Sequence, residues 1–311
     1  MKPDLMAFIA IALFASYSVF GKFLLGTISP VLLIIATQLL AGILLVLILD
    51  VTKKIKELKD LTKTQIKWIL IITILSSVIG PILFLGGLKL TTATNAILIG
   101  KTEAVVTSLF AVYLLREKIT KHQIIGAVIM FFGILIIATN NFGLGLKLRY
   151  GDLLIFISGP VYGLGTVLFK KYLSKTPPEV FITIRNITGG LVILIGSLFF
   201  VDFSAVRSFM SANTILILLS MVIFTVILPQ YLFYKALERA SATSISLAGL
   251  ASPLIAIIYA VIFLKETINS SQIVGGIAIM IGLVILEIHF RKTLSFERIK
   301  GYLKLKYWHH I

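Results

Sequence analysis

Long apolar runs separated by short polar breaks make up most of this chain. A helix needs about 20 apolar residues to cross a hydrocarbon core roughly 30 Å thick. On that measure the pattern predicts spans over Leu5–Leu25, Val31–Leu49, Ile66–Leu88, Ala93–Leu115 and Ile124–Thr139. A second set follows over Leu153–Leu173, Val180–Val201, Thr214–Leu237, Thr243–Leu264 and Ile273–Phe290. The alternation of an outer-membrane barrel is absent, and hydrocarbon offers backbone groups no partners outside a helix. The expected fold is therefore all-α and integral to the membrane, with ten transmembrane helices. The longest connection, Asp50–Lys67, is short and charged, which leaves no room for a soluble catalytic domain. Ala10-Ile11-Ala12 looks like a signal-cleavage site, but the apolar run before it is too short and continues past it. The first helix is expected to be retained.

Composition agrees with that pattern. Of 311 residues, 58% are apolar and only 14% charged, against about 45–50% and ~25% in soluble domains. Soluble enzymes and disordered chains are thereby excluded. The absence of cysteine removes disulfides, zinc–thiolate sites and thiol catalysis. A net charge of +16, from 29 basic and 13 acidic residues, would point to nucleic acid in a soluble protein. Here the basic residues are distributed by side. With the N-terminus inside, Lys53, Lys54, Lys56, Lys59, Lys63, Lys67, Arg116, Lys118, Lys121, Lys170, Lys171, Lys175, Lys235, Arg239 and the tail all fall in the cytoplasm. Only Lys22, Lys89, Lys147, Arg149, Arg207 and Lys265 fall opposite. The positive-inside rule then places both termini in the cytoplasm, in a cell inner (plasma) membrane, with no nucleic-acid partner.

The chain also repeats itself. A shift of 149 residues aligns Gly87–Leu135 with Ala236–Val284, matching Gly100 with Gly249, Leu115-Arg116-Glu117 with Leu264-Lys265-Glu266, Gly126 with Gly275 and Gly133 with Gly282. A shift of 148 aligns the front portions, Lys22 with Lys170, Pro30 with Pro178 and Gly42 with Gly190. Five spans per copy is an odd number, so the second copy enters the bilayer from the opposite side. The expected organisation is two inverted five-helix repeats, residues 4–140 and 150–290, then a basic tail, 291–311. Inverted repeats with a site between them recur in secondary transporters.

These repeats resemble the EamA family of the drug/metabolite transporter superfamily. The resemblance rests on Ser16-Tyr17-Ser18-Val19-Phe20-Gly21-Lys22 with the Ser29-Pro30 turn. A later signature occurs twice, from Gly87 through Glu117 and from Lys235 through Glu266, each closed by a Gln-Ile-x-Gly helix at Gln123–Gly126 and Gln272–Gly275. It implies a ten-helix permease for small metabolites, often amino acids, with a central cavity lined mainly by helices 1, 3, 4, 6, 8 and 9. Two positions depart from the pattern. Pro253 has Ala104 opposite it, and the family arginine, Arg185 in the second repeat, is replaced by Thr37-Gln38 in the first.

Ionisable groups at a helix centre cost at least about 2.5–3.5 kcal/mol on insertion scales and so require a reason. Lys101 and Glu103 in the fourth span and Arg185 in the seventh are the substrate-binding candidates. The i, i+2 spacing of Lys101 and Glu103 prevents direct pairing on a regular helix. Tyr17, Asn95, Tyr162, Gln230 and Tyr234 are candidate neutral contacts, with Ser16 and Asn186 as further polar groups. Pro81, Pro160, Pro229 and Pro253 interrupt spans and are candidate gating positions. Lys22 is expected at lipid headgroups, Glu117 and Glu266 as caps, and Gly126, Gly133, Gly275 and Gly282 in close helix packing. Tyr302, Tyr307 and Trp308 in the basic tail suit either attachment to an anionic membrane surface or a solvated tail.

The expected function is a secondary transporter of a small, zwitterionic or anionic solute by alternating access. Its expected partners are the solute and the lipid bilayer, with protons as a candidate coupling ion, and it is expected to be a monomer. Gly100-Lys101-Thr102 imitates the end of a phosphate loop only inside an apolar span. No cofactor, metal site or enzyme activity is expected. A proton-coupled exporter of cationic drugs is the alternative; a lipid-modifying enzyme would need clustered carboxylates or a nucleophile–base pair, which are not seen.

Overall fold

The computed structural model describes residues 3–58, 60–116, 120–138, 149–198, 211–237 and 242–286, and the side chains of all but 3–4, 233–237 and 242–248 among them. Among the described residues, eight helices are long and apolar enough to cross a membrane. They are α1 (Leu5–Leu24), α2 (Pro30–Val51), α3 (Lys63–Leu90), α4 (Ala93–Leu115), α5 (Lys121–Ala138), α6 (Tyr150–Tyr172), α7 (Pro178–Ser197) and α8 (Ala212–Leu232). Two shorter apolar helices follow, Gly249–Leu264 within α9 (Ala242–Leu264) and α10 (Ser270–Leu286). No strand occurs among the described residues.

Local chemistry sets the helix starts. Ser29 caps α2 ahead of Pro30, accepting the Leu32 amide at 3.3 Å; proline suits this first-turn position because its missing donor would have no partner there. Thr62 and Gln65 form a capping box on α3. The same device occurs at matched repeat positions, Thr120 with Gln123 before α5 and Asn269 with Gln272 before α10. α4 and α9 are both followed by a non-glycine residue in left-handed conformation, Arg116 at φ 56° and Lys265 at φ 55°.

Several of the expected spans are not uniform helices. α1 breaks at Ser16, between Pro3–Ala15 and Tyr17–Leu24, and the Ser16 hydroxyl donates to the Leu13 carbonyl at 2.7 Å. α4 breaks at Gly100-Lys101, between Ala93–Ile99 and Thr102–Leu115. α3 and α8 each contain a π-helical turn, Ile74–Ile79 and Val222–Ile227, at positions 148 residues apart.

Packing joins the two sequence repeats. α2 lies along α7, where a Cβ on Gly42 would stand 2.5 Å from Ile187 Cγ1 and one on Gly190 2.7 Å from Leu39 Cδ2. Likewise a Cβ on Gly126 would stand 2.6 Å from the Gly282 carbonyl oxygen, and one on Gly133 2.7 Å from that of Gly275. Along both pairs one chain ascends as the other descends. The glycines are thus where helices meet backbone to backbone, the close packing that membrane interiors favour. α6 packs on α3 and α4, and α1 on the corresponding α8 and α9.

The outer surface carries large apolar side chains, among them Phe132, Ile195, Leu216 and Ile262, each about three-fifths exposed. Such extensive apolar exposure is foreign to a soluble monomer and fits a lipid-facing surface. Inside are two apolar clusters. The larger includes Leu24, Leu33, Leu85, Leu88, Leu98, Met130, Ile155 and Ile279. The smaller contains Leu45, Ile69, Ile72, Leu168, Leu173, Phe181 and Ile182.

Candidate functional site

Polar and apolar side chains from seven helices line a cavity of about 310 Å³. Its lining includes Phe14 and Tyr17 from α1, Thr37 and Gln38 from α2, and Ser76, Ser77 and Pro81 from α3. Glu103 comes from α4, Tyr162 and Thr166 from α6, Arg185 and Asn186 from α7, and Thr225 and Gln230 from α8. Many of these are repeat counterparts at a shift of 148: Phe14 with Tyr162, Thr37 with Arg185, Gln38 with Asn186 and Ser77 with Thr225. The cavity is therefore built symmetrically in position and asymmetrically in chemistry.

Each side chain is held by a recognisable local device. Tyr162 rests on Gly80, where a Cβ would stand 2.7 Å from its Cε1 atom. Tyr162 also lies within electrostatic reach of Tyr17, Glu103 and Arg185. The Arg185 guanidinium carbon sits 5.4 Å from the Phe181 ring centroid, a cation–π distance. The π-turns bring Ser76 and Ser77 on one side, and Thr225 on the other, to the cavity. Gln38 crosses from α2 to donate its amide N–H to the Ser77 carbonyl at 2.5 Å.

Of the residues singled out by sequence, Glu103, Arg185, Tyr17, Tyr162, Asn186, Gln230 and Pro81 come together on this cavity. Lys101 is half-buried at the α4 break, outside the lining, and interacts electrostatically with Glu103. Pro229 follows the π-turn of α8 as Pro81 follows that of α3. Pro160 and Pro253 lie inside uninterrupted helices, and none of Pro160, Pro229 and Pro253 lines the cavity. The Tyr234 side chain, Glu117 and the tail lie outside the described residues. Sequence reasoning missed Thr37, Gln38, Ser76, Ser77 and Thr225. The signal available was polar residues at matched positions of both repeats, which a search for charges passes over.

Asn95 is not a cavity residue. It is buried in a polar network, donating to both Asp152 oxygens at 3.3 Å and accepting from Gln272 Nε2 at 2.7 Å. Asp152 also accepts the Thr91 hydroxyl. Lys22, expected at headgroups, instead donates to the carbonyls of Leu88, at 2.8 Å, and Thr91. Ammonium there neutralises the negative C-terminal end of α3. Glu266 caps a different helix from its own, accepting the α4 amides of Ala93 at 2.6 Å and Thr94 at 2.9 Å. This network joins the ends of α1, α3, α4, α6, α9 and α10 at one end of the bundle.

At the opposite end the described residues make a different set of ties. Lys54 after α2 and Glu179 of α7 form an ion pair at 3.1 Å, Gln65 donates to Thr176 at 3.0 Å, and Trp68 stacks on Tyr172 with ring centroids 3.6 Å apart. Between α2, α7 and α8 at this end lies a mainly apolar groove of about 570 Å³ that includes Lys54, Glu179 and Gln230. Gln230 lines both groove and cavity. The cavity helices differ from those the family resemblance implied. α2 and α7 contribute, packed together at Gly42 and Gly190, and no described α9 residue does.

An apolar exterior around a cavity lined in part by polar and charged groups, on helices of membrane-spanning length, defines a multi-pass membrane protein. The pattern of the EamA-like transporter family matches the chain twice, over residues 1–139 and 149–288, and the chain belongs to that family. An uncharacterized transporter of Synechocystis sp. is 27% identical over 80% of this chain and 73% of its own. One of Clostridium kluyveri is 28% identical over 92% of this chain and 93% of its own. A solved crystal structure superposes on 94% of this chain and 98% of its own with a TM-score of 0.67 at 16% identity, which shows the fold alone. The family and these relatives point to a membrane transporter rather than an enzyme.

Proposed function

We propose that the protein is a secondary transporter that moves a small zwitterionic or anionic metabolite, an amino acid or a solute of that kind, by alternating access. The observation that carries this reading is the cavity of about 310 Å³ that Glu103 and Arg185 both line. A carboxylate and a guanidinium in one low-dielectric hollow provide complementary sites for the two ends of a zwitterion. Charges placed so deep also need a solute or each other to offset their desolvation.

The mechanism we infer is exchange between two inverted five-helix repeats, residues 4–140 and 150–290, in a ten-helix protein with a cytoplasmic tail at 291–311. The reciprocal α2–α7 and α5–α10 contacts support that arrangement, as does the doubled family match. In this reading the chain acts as a monomer in the cell inner membrane with both termini cytoplasmic. The dense network around Asp152 closes the outer end, and the groove beside Lys54–Glu179 leads to the inner end. Pro81 and Pro229, each behind a π-turn, are the hinges, with Pro160 and Pro253 as softer bends, and Lys101 tunes Glu103 from the α4 break. Asn95 keeps the network closed, and Tyr17, Tyr162, Gln230 and Tyr234 contact the solute. Protons are the coupling ion, carried on Glu103.

Uptake of labelled amino acids into proteoliposomes tests this. Glu103→Gln and Lys101→Ala are expected to abolish accumulation while the protein remains folded and monodisperse. Wild-type uptake in both variants would remove these residues from the site, and absence of saturable counterflow in the wild type would end the carrier reading.

A further inference from the structure

The two π-turns free matching carbonyls, and the two halves treat them differently. Pro81 has no amide hydrogen, so the Ser77 carbonyl four residues earlier lacks its helical donor. Pro229 does the same to the Thr225 carbonyl. The amides just before the prolines are committed elsewhere, Gly80 N–H to the Leu75 carbonyl and Leu228 N–H to that of Ile223. Buried carbonyls are nearly always satisfied. In the first half Gln38 supplies the missing donor, reaching across from α2 to Ser77. Its counterpart in the second half is Asn186, one methylene shorter. Asn186 bonds back to its own helix instead, donating to the Ile182 carbonyl at 2.9 Å.

Thr225 and Asn186 both line the cavity, and so does Gln230, one residue beyond Pro229. The Gln230 Oε1 atom is buried without a hydrogen-bond partner. Thr225, whose carbonyl has lost its helical donor, and Gln230, whose amide oxygen is unpartnered, thus line the same hollow on one helix. We propose that the Thr225 carbonyl and Gln230 Oε1 form the subsite for the ammonium group of a zwitterionic solute, and that Asn186 is its specificity residue because it is too short to occupy the freed carbonyl. This rests on the carrier reading above and deepens it. A hydroxyl in place of the ammonium offers a single proton and no charge, so it binds this acceptor pair less well.

The test uses purified full-length protein, with unfolding followed by intrinsic fluorescence. The probes are the twenty standard amino acids and their 2-hydroxy acid analogues. For an amino acid that stabilises the wild type, Gln230→Met is expected to weaken binding about tenfold or more, the loss of one hydrogen bond to a charged group. The 2-hydroxy acid should be weakened much less. Equal loss for both, or no loss for the amino acid, overturns the assignment. A ligand-free comparison covers the second half of the claim. Asn186→Gln brings a donor that can reach Thr225, whereas Asn186→Leu fills similar space without one. The Gln variant should unfold about 2–4 °C above the Leu variant, and equal unfolding temperatures overturn the freed-carbonyl assignment. If no amino acid stabilises the wild type, the amino acid carrier reading fails by itself, and the Asn186 pair still decides whether the Thr225 carbonyl is open.

Discussion

Leu39 and Gly190 meet across the α2–α7 interface in the same way as their repeat counterparts, Ile187 and Gly42. In each case a side chain of one repeat fills the space left by a missing Cβ in the other, down to 2.5 Å for Gly42. This crossing carries Gln38 and Asn186 to the cavity from opposite directions. A branched side chain at either glycine would meet backbone as well as side chain, since a Gly42 Cβ would also lie 3.2 Å from the Ile187 amide nitrogen. Gly42→Val and Gly190→Val should each lower stability by about 1–3 kcal/mol, the usual cost of overpacking. Thermal unfolding in detergent measures it, and an unchanged midpoint in both variants would contradict the interface.

Gly80 serves the site more directly than the fold. Its bare Cα accepts the Tyr162 ring, and alanine there would drive the phenol off the cavity wall. Gly80→Ala is expected to reduce transport at least tenfold, since a misplaced contact near the solute costs on the order of 10²-fold when positioning decides the rate. Gly80→Ala with Tyr162→Phe should recover none of it if the displaced ring itself blocks the cavity. Recovery in Tyr162→Ala on the Gly80→Ala background would identify that obstruction. Uptake assays on matched amounts of folded protein separate these outcomes.

Arg185 should not tolerate lysine. The guanidinium lies over Phe181 and faces the cavity, and a flexible ammonium reproduces neither the planar stacking nor the forked donors. Arg185→Lys is expected to retain fold and charge yet lose about tenfold or more in apparent solute affinity, because charge-assisted pairing depends on the fork. Wild-type affinity in that variant would reduce Arg185 to a simple counter-charge.

Hydropathy alone located the eight membrane-length helices among the described residues, because membrane crossing imposes a length and composition that little else does. The sequence also marked Gly126, Gly133, Gly275 and Gly282 for close packing, but not the Gly42 and Gly190 contacts. Where the sequence misled, the cause was local. Asn95 looks like a cavity amide because polarity in a span is rare, yet one turn from the helix start it is better placed to join Asp152 and Gln272. Lys22 sits where a lysine could extend to headgroups, and only the fold brings the carbonyl end of α3 within its reach. Ser77 and Thr225 were invisible as site residues because their approach to the cavity depends on π-turns, which leave no hydrophobic period to read. The prolines behind those turns were visible, and what they free is backbone.

Glu266 supplies a test of the network end. Its carboxylate accepts two α4 amides and the Thr94 hydroxyl at 2.8 Å, so it places negative charge at the positive end of a helix while capping it. Glu266→Ala removes both effects and should cost about 1–2 kcal/mol of stability. Glu266→Gln keeps one acceptor and should cost less. The ordering of the two unfolding midpoints is the measurement, and a Gln variant no better than Ala would show that the charge alone matters.

Lys54 and Glu179 are the opposite case. Their ion pair is 44% and 37% exposed, and exposed pairs contribute only about 0–1 kcal/mol. Glu179→Gln should therefore leave the unfolding midpoint almost unchanged. The position of the pair matters more than its strength, because it ties the end of α2 to the start of α7 beside the groove that shares Gln230 with the cavity. If the carrier opens here, those two helix ends must separate in each cycle. The chain contains no cysteine, so Lys54→Cys with Glu179→Cys creates a single reactive pair without further changes. Joining the two thiols with a cleavable bismaleimide should stop uptake while solute still stabilises the protein, and cleaving the linker should restore turnover. Full turnover with the linker intact would mean that this end stays closed throughout the cycle, and the groove between α2 and α8 would then lead nowhere the solute goes.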